Sequence, residues 1–175
     1  MGFSSDFINT KYVALFNNNA NKNGFEACVF LAESLSNKPT ISNGFFFCNY
    51  DYKNKIETLT SKKTSRLKFD DLVFFNAEKK LSEKEFYGAS VLSENKNLTI
   101  NLVSKTPKAE YLKNVLELKK HIQNGDIYEI NYCITFEAEN VKINPFAVYQ
   151  KLNAISKAPY AAFIKLNDKY ILSAS

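Results

Sequence analysis

The chain has 175 residues, 45% hydrophobic and 14% aromatic, with fifteen Phe and ten Tyr but no Trp; this excludes a disordered or repetitive polypeptide and suits one compact unit or a large part of a bigger domain. The formal charge of +5 raises nucleic-acid binding, but Arg66 is the only arginine, so bidentate guanidinium contacts are nearly unavailable. The lysines are spread along the chain apart from pairs such as Lys62-Lys63, Lys79-Lys80 and Lys119-Lys120, which describes a solvated surface and disfavours nucleic acid as a partner.

Met1 to Thr10 has neither a basic n-region nor an apolar h-region, and no apolar run approaches the roughly 20 residues that span a bilayer, so a cytoplasmic protein is expected. Short apolar stretches then alternate with polar punctuation. Tyr12 to Phe16 reads as a strand, Asn17 to Asn23 as a surface loop, and Phe25 to Ala32 as a second strand. Gly44 to Tyr50 is a buried-strand candidate, Lys53 to Lys68 is too polar for any interior element, and Phe69 to Phe75 supplies another strand. In Leu98 to Val103, Leu98, Ile100 and Leu102 fall on one face of a strand. Cys28, Cys48 and Cys133 are odd in number, far apart and set in apolar segments, as expected of buried, reduced thiols.

The character changes at Thr106-Pro107, dividing the chain into a β-rich part over residues 1–105 and a second part over 106–175. Pro107 at the first helical position, Glu110 in the first turn, and the spacing of Leu112, Val115, Leu116, Lys119 and Ile122 predict an amphipathic helix, ended by Gly125 as a left-handed cap. Tyr128, Ile130, Tyr132, Ile134 and Phe136 then alternate as a strand with an apolar face. Its other face carries Glu129, Asn131, Cys133 and Thr135 and is polar enough to line a cavity. Asn144-Pro145 opens a second helix with Phe146, Tyr149 and Leu152 on one side. Tyr160 to Leu166 and Lys169 to Ser173 flank Asn167-Asp168, a pair suited to a tight hairpin turn. The fold class expected from these elements is α+β.

Generic catalytic signals are sparse. The five glycines are scattered singly, so there is no phosphate-cradling loop. His121 is the only histidine and sits near a helix end, where a dipole partner or surface role is the expectation; one histidine disfavours His-based metal clusters and His-serviced nucleophiles. The carboxylate pairs Asp70-Asp71 and Glu137/Glu139 are read as solvated charges.

The last seventy residues carry a resemblance. Gly125-Asp126-Ile127-Tyr128-Glu129-Ile130-Asn131 resembles the G-D-[IC]-[YF]-Q-x-N entry of chorismate-binding enzymes, with Glu129 departing from the usual Gln. Asn144-Pro145 with Tyr149 and Leu152 is similar to the family's D-P-x-x-x-Y-x-x-L helix. Ala158-Pro159-Tyr160-Ala161-Ala162-Phe163 and Leu172-Ser173-Ala174-Ser175 match its P-[YF]-x-x-F and L-S-x-S strands in order. Phe30-Leu31-Ala32-Glu33-Ser34 is a weaker match to an L-L-E-S segment. Asn131 tilts the resemblance toward the aminodeoxychorismate synthase component I group, with anthranilate synthase component I as the alternative. The hundred or so residues ahead of the helix, short for an anthranilate synthase, point the same way.

The resemblance implies a fragment of a layered antiparallel-sheet and helix fold, whose chorismate-binding part begins at residue 106 and is truncated. It further implies Mg²⁺ in the full-length enzyme, with a lysine nucleophile, metal-binding glutamates and a substrate-gripping arginine beyond residue 175. A glutamine amidotransferase subunit supplies ammonia in such enzymes. This segment alone is therefore expected to be catalytically silent. An effector site for tryptophan maps onto Ser34, Pro159, Tyr160 and Ala161, and Asn131 is a candidate for lining the active site. A non-catalytic module binding an amino acid or a protein partner is the competing expectation.

Overall fold

The computed structural model describes residues 9–19, 26–38, 40, 42–58, 67–82, 84–86 and 100–175. The chain forms two compact groups, residues 1–94 with 144–175, and residues 95–143.

In the first group, five antiparallel strands form one sheet in the order β5-β2-β1-β8-β9. They are β1 (Tyr12–Asn17), β2 (Cys28–Ala32), β5 (Lys79–Ser82), β8 (Ala161–Leu166) and β9 (Lys169–Ala174). β1 pairs with β2 through Ala14 and Phe30 and with β8 through Ala14 and Ile164, so its backbone is satisfied on both sides. Successive side chains of a strand point to opposite faces, and both faces here are covered. Val13 and Leu15 meet Val29, Leu31, Ala161 and Phe163 on one face, where Phe146 and Tyr149 of the helix α3 (Pro145–Ser156) close the core. On the other face Ala14, Ala32 and Leu166 meet Phe45, Val73 and Phe75, carried by the two-stranded ladder of β3 (Gly44–Cys48) and β4 (Leu72–Asn76). Two covered faces explain why β1 and β8 read as near-continuous apolar runs.

Aromatic contacts fill both layers. Phe163 meets Phe146 edge-on at 5.3 Å between ring centroids and Tyr149 at 5.7 Å, while Phe45 stacks on Phe75 at 4.7 Å. Each such side chain contributes roughly 1.5–3 kcal/mol through burial alone. Lys165 is the unexpected occupant: it lies on β8 with 8% of its surface exposed, and burial pushes its pKa down while the charge of Glu33 pulls it back up.

Local signals for α3 and the hairpin match the structure. The Asn144 side chain accepts from the Ala147 N–H at 3.1 Å, Pro145 is the first helical residue, and Lys157 ends the helix at φ +46°. Asn167 takes φ +59° in the β8–β9 turn, where its N–H donates to the Lys11 carbonyl at 2.7 Å. β3 stops at Cys48 rather than Tyr50, because the chain turns into a 3₁₀ segment (Tyr50–Tyr52) and the exposed one-turn helix α1 (Lys53–Ile56). β4 starts at Leu72 rather than Phe69. Asn49 N–H donates to the Asp71 carbonyl at 2.8 Å, and Phe69 packs sideways on Phe47 instead of entering the ladder. β2 is seen from Cys28; Phe25 and residues 59–66 lie outside the described residues, as does Leu98.

The second group contains the helix α2 (Lys108–Gln123) and the two-residue ladder of β6 (Val103–Ser104) with β7 (Phe136–Glu137). Pro107 sits one place earlier than the expected first helical position: its ψ of 145° makes it the N-cap, and its carbonyl accepts the first helical bond from Tyr111 N–H at 2.9 Å. At the other end Gly125 adopts φ +80°. Asp126 N–H reaches the His121 carbonyl at 2.9 Å and Gly125 N–H the Ile122 carbonyl at 3.1 Å, the paired bonds of a Schellman cap.

Two strand expectations are corrected here. Among the described residues of Leu98 to Val103, only Val103 enters a ladder, which continues to Ser104 beyond that stretch, and Ile100 and Leu102 are exposed. Of Tyr128 to Phe136, only Phe136 is in β7; Tyr128 is 93% exposed, and Glu129, Asn131, Cys133 and Thr135 are exposed as well. Alternation makes a strand only where a neighbouring backbone supplies hydrogen bonds, and β6 offers two residues. Tyr132 is drawn onto α2 instead, stacking on Tyr111 at 5.4 Å and accepting from Asn114 Nδ2 at 2.7 Å.

The cysteines also differ from expectation. Cys48 and Cys133 are exposed, and Cys28 is half-buried. Alternation along β3 turns Phe45 inward and leaves Cys48 exposed, while Cys133 lies in the irregular segment before β7. Burial raises the Cys28 thiol pKa, opposed by Lys80 and assisted by Glu26.

Phe163→Ala is expected to destabilise the chain by about 3–5 kcal/mol in urea unfolding. Phe46→Ala, at a 52% exposed position stacked on Phe74 at 5.1 Å, is expected to cost about 1 kcal/mol or less. Titration with a disulfide reagent near neutral pH should show Cys48 and Cys133 reacting rapidly and Cys28 slowly, followed residue by residue through peptide mass.

Candidate functional site

Of the residues singled out in the sequence, Pro159, Tyr160 and Ala161 form one structural unit. They follow the left-handed Lys157 and lead into β8; Pro159 and Tyr160 are exposed, Tyr160 at 59%, and Ala161 is fully buried at the start of the strand. The bend is held at both ends, by Lys157 N–H donating to the Asn153 carbonyl at 2.9 Å and by Tyr160 N–H donating to the Ser175 carbonyl at 2.8 Å. Asn19, at φ +48°, adds a third tie: its Nδ2 donates to the Ala158 carbonyl and to Asn153 Oδ1 at 2.8 Å. Asn153 Nδ2 returns a bond to Asn19 Oδ1 at 3.0 Å. Sequence reading placed Asn19 in a polar loop; the reciprocal amide pair becomes visible only when β1 and α3 are set side by side.

Ser34 lies elsewhere. It is exposed just beyond β2, whose Ala32 pairs with Tyr12, whereas Ala161 pairs with Asn17. Five residue steps along β1, about 17 Å, separate those two pairings. The register therefore does not bring Ser34 together with Pro159, Tyr160 and Ala161. Near Ser34's end of the sheet is a small cleft of about 170 Å³, lined by Leu35, Tyr12, Phe69, Leu166 and Asp168 among others. Lys169, also in its wall, donates to the Lys68 carbonyl and lies 5.6 Å from the Phe69 ring centroid.

Asn131 belongs to the second group and is exposed, its carbonyl accepting weakly from Cys133 Sγ at 3.9 Å. His121 Nδ1 lies 2.7 Å from Asp126 Oδ2 within the cap of α2, both side chains exposed. The sequence's carboxylate pairs are engaged locally: Asp71 meets Lys55 at 2.7 Å and Glu137 meets Lys105 at 3.1 Å. The Asp71 carboxylate raises the Lys55 pKa through that hydrogen bond. Among the described residues no three His, Cys, Asp or Glu side chains converge in a group that could hold a metal ion. Nor is any described helix long and apolar enough to cross a membrane.

The sequence profile of the family described as chorismate binding enzyme matches residues 6–175. Anthranilate synthase component 1 of Acetivibrio thermocellus is 32% identical over 49% of this chain, and aminodeoxychorismate synthase component 1 of Salmonella typhimurium is 30% identical over 45%. Each match covers 17% of the relative. Anthranilate synthase component 1 of Buchnera aphidicola subsp. Schizaphis graminum is 29% identical over 99% of the chain, which spans 31% of that protein. The profile runs through β1 and β2 as well as through the capped α3 helix and the β8–β9 hairpin that bear the sequence motifs, and on that extent this chain belongs to the chorismate-binding enzyme family.

Proposed function

We propose that this chain is the N-terminal part of an aminodeoxychorismate synthase component I, which converts chorismate and ammonia to 4-amino-4-deoxychorismate in para-aminobenzoate and folate synthesis. Asn131, in the Gly125–Asn131 segment, is the observation that carries this choice within the family. The second reading is anthranilate synthase component I of tryptophan synthesis, favoured by the Buchnera relative that aligns along 99% of the chain.

In the proposed division of labour, this chain supplies scaffold rather than chemistry. Its motif-bearing part begins at residue 106, and the β8–β9 hairpin feeds the sheet on which the remainder of the enzyme is built. Mg²⁺ and the catalytic groups belong to segments other than the described ones. Ammonia comes from a glutamine amidotransferase subunit in the cytoplasm, a partner consistent with relatives named component 1. An amino-acid effector, tryptophan, rests against Pro159 and Tyr160. Ser34 stands at the other end of β1 from that surface, and Asn131 lines the substrate site.

The reading is tested by supplying the complete gene product with chorismate, Mg²⁺ and ammonia and identifying the product by mass. The expected product is 4-amino-4-deoxychorismate, with its enolpyruvyl group retained and no pyruvate released. Fluorescent anthranilate with one equivalent of pyruvate would establish the second reading instead, and no turnover of chorismate would overturn both. The 175-residue chain alone should give neither product.

A further inference from the structure

We propose that Asn19 is the positioning residue of the bend that carries Pro159 and Tyr160, holding a preformed ledge through its bond to the Ala158 carbonyl. The inference deepens the effector reading above and rests on it for the identity of what the ledge binds.

The geometry separates Asn19 from its neighbours in kind. Lys157 and Tyr160 are tied through backbone N–H groups, to Asn153 and Ser175. The carbonyl between those ties, that of Ala158, is met by a side chain from just past the end of β1, 139 residues away in sequence. Asn19 is itself fixed at two further points. Its backbone N–H donates to Asn17 Oδ1 at 2.8 Å, and its side-chain oxygen accepts from Asn153 Nδ2 at 3.0 Å. The Ala158 carbonyl can only accept, so it fixes the Asn19 Nδ2 on its side, and the reciprocal pair with Asn153 follows that orientation. An exposed Tyr160 beside Pro159 is then presented at fixed geometry, so that a ligand stacking there meets a surface whose ordering cost has already been met in folding.

The roles of the two asparagines are distinguishable by isosteric change. Asn19→Asp keeps an acceptor for Asn153 but replaces the donor to Ala158 by a carboxylate facing a carbonyl. Asn153→Asp keeps the acceptor for Asn19 and leaves the Ala158 bond in place.

Amide hydrogen exchange on the full chain, with tryptophan affinity by calorimetry as the second readout, tests the assignment. In Asn19→Asp the hydrogen-bonded amides that flank the bend, Lys157 and Tyr160, should exchange about tenfold faster, the order expected for one lost hydrogen bond. Asn153→Asp should stay within about twofold of wild type by the same reasoning. Asn19→Ser, which lacks the reach to Ala158, should reproduce the effect of Asn19→Asp without an added charge. Tryptophan affinity, if the ledge is its site, should fall in Asn19→Asp and Asn19→Ser and be retained in Asn153→Asp. Unchanged exchange in both Asn19 variants, or equal acceleration in Asn153→Asp, would overturn the assignment. Accelerated exchange in the Asn19 variants of a chain that binds no tryptophan would support the positioning role while refuting the effector reading.

Discussion

The burial of β1 on both faces and the pairing of both its edges is the constraint on which the first group depends. Val13 and Leu15 have no exposed surface, and neither does Ala14 between them. A strand so placed needs partners on each side for its N–H and C=O groups and a layer over each face for its side chains. β2 and β8 meet the first need. Phe146 and Tyr149 of α3, and Phe45 and Phe75 of the β3–β4 ladder, meet the second. Because β8 follows β1 by more than a hundred residues in the chain, the sheet cannot close until late sequence has returned to early sequence.

That return also determines where the motif-bearing residues sit. The register that pairs Asn17 with Ala161 sets Asn19 beside the end of α3, where a reciprocal amide pair with Asn153 forms and the Ala158 carbonyl is captured. The same register carries Ser34 to the other end of the sheet. Sheet pairing thus selects, among residues that a family pattern groups together, those that share a surface.

Much of this was legible locally. The N-cap of α3 follows from Asn144-Pro145, the cap of α2 from Gly125, and the β8–β9 turn from Asn167-Asp168, since each depends on residues within a few positions of one another. The apolar runs of β1 and β8 announced burial without announcing their pairing. β5 was missed because Lys79 and Lys80 occupy an edge strand, where charged side chains are tolerated and no apolar alternation is required. Residues 128–136 misled in the opposite direction: their alternation is regular, yet β6 offers two residues of ladder, and Tyr132 finds Tyr111 and Asn114 instead. Cys48 misled through its apolar neighbour Phe47, whose side chain points the other way in β3. The family pattern itself was legible because it is carried by order along the chain, and the match over residues 6–175 extends it back through β1 and β2.

Nuclear Overhauser contacts across β1 and β8 measure the central claim most directly. The account predicts main-chain contacts in the antiparallel register that sets Ala14 opposite Ile164 and Phe16 opposite Ala162, together with side-chain contacts from Phe163 to Phe146 and Tyr149. A shifted register, or β8 paired with β9 alone while β1 lacks it, would contradict the account.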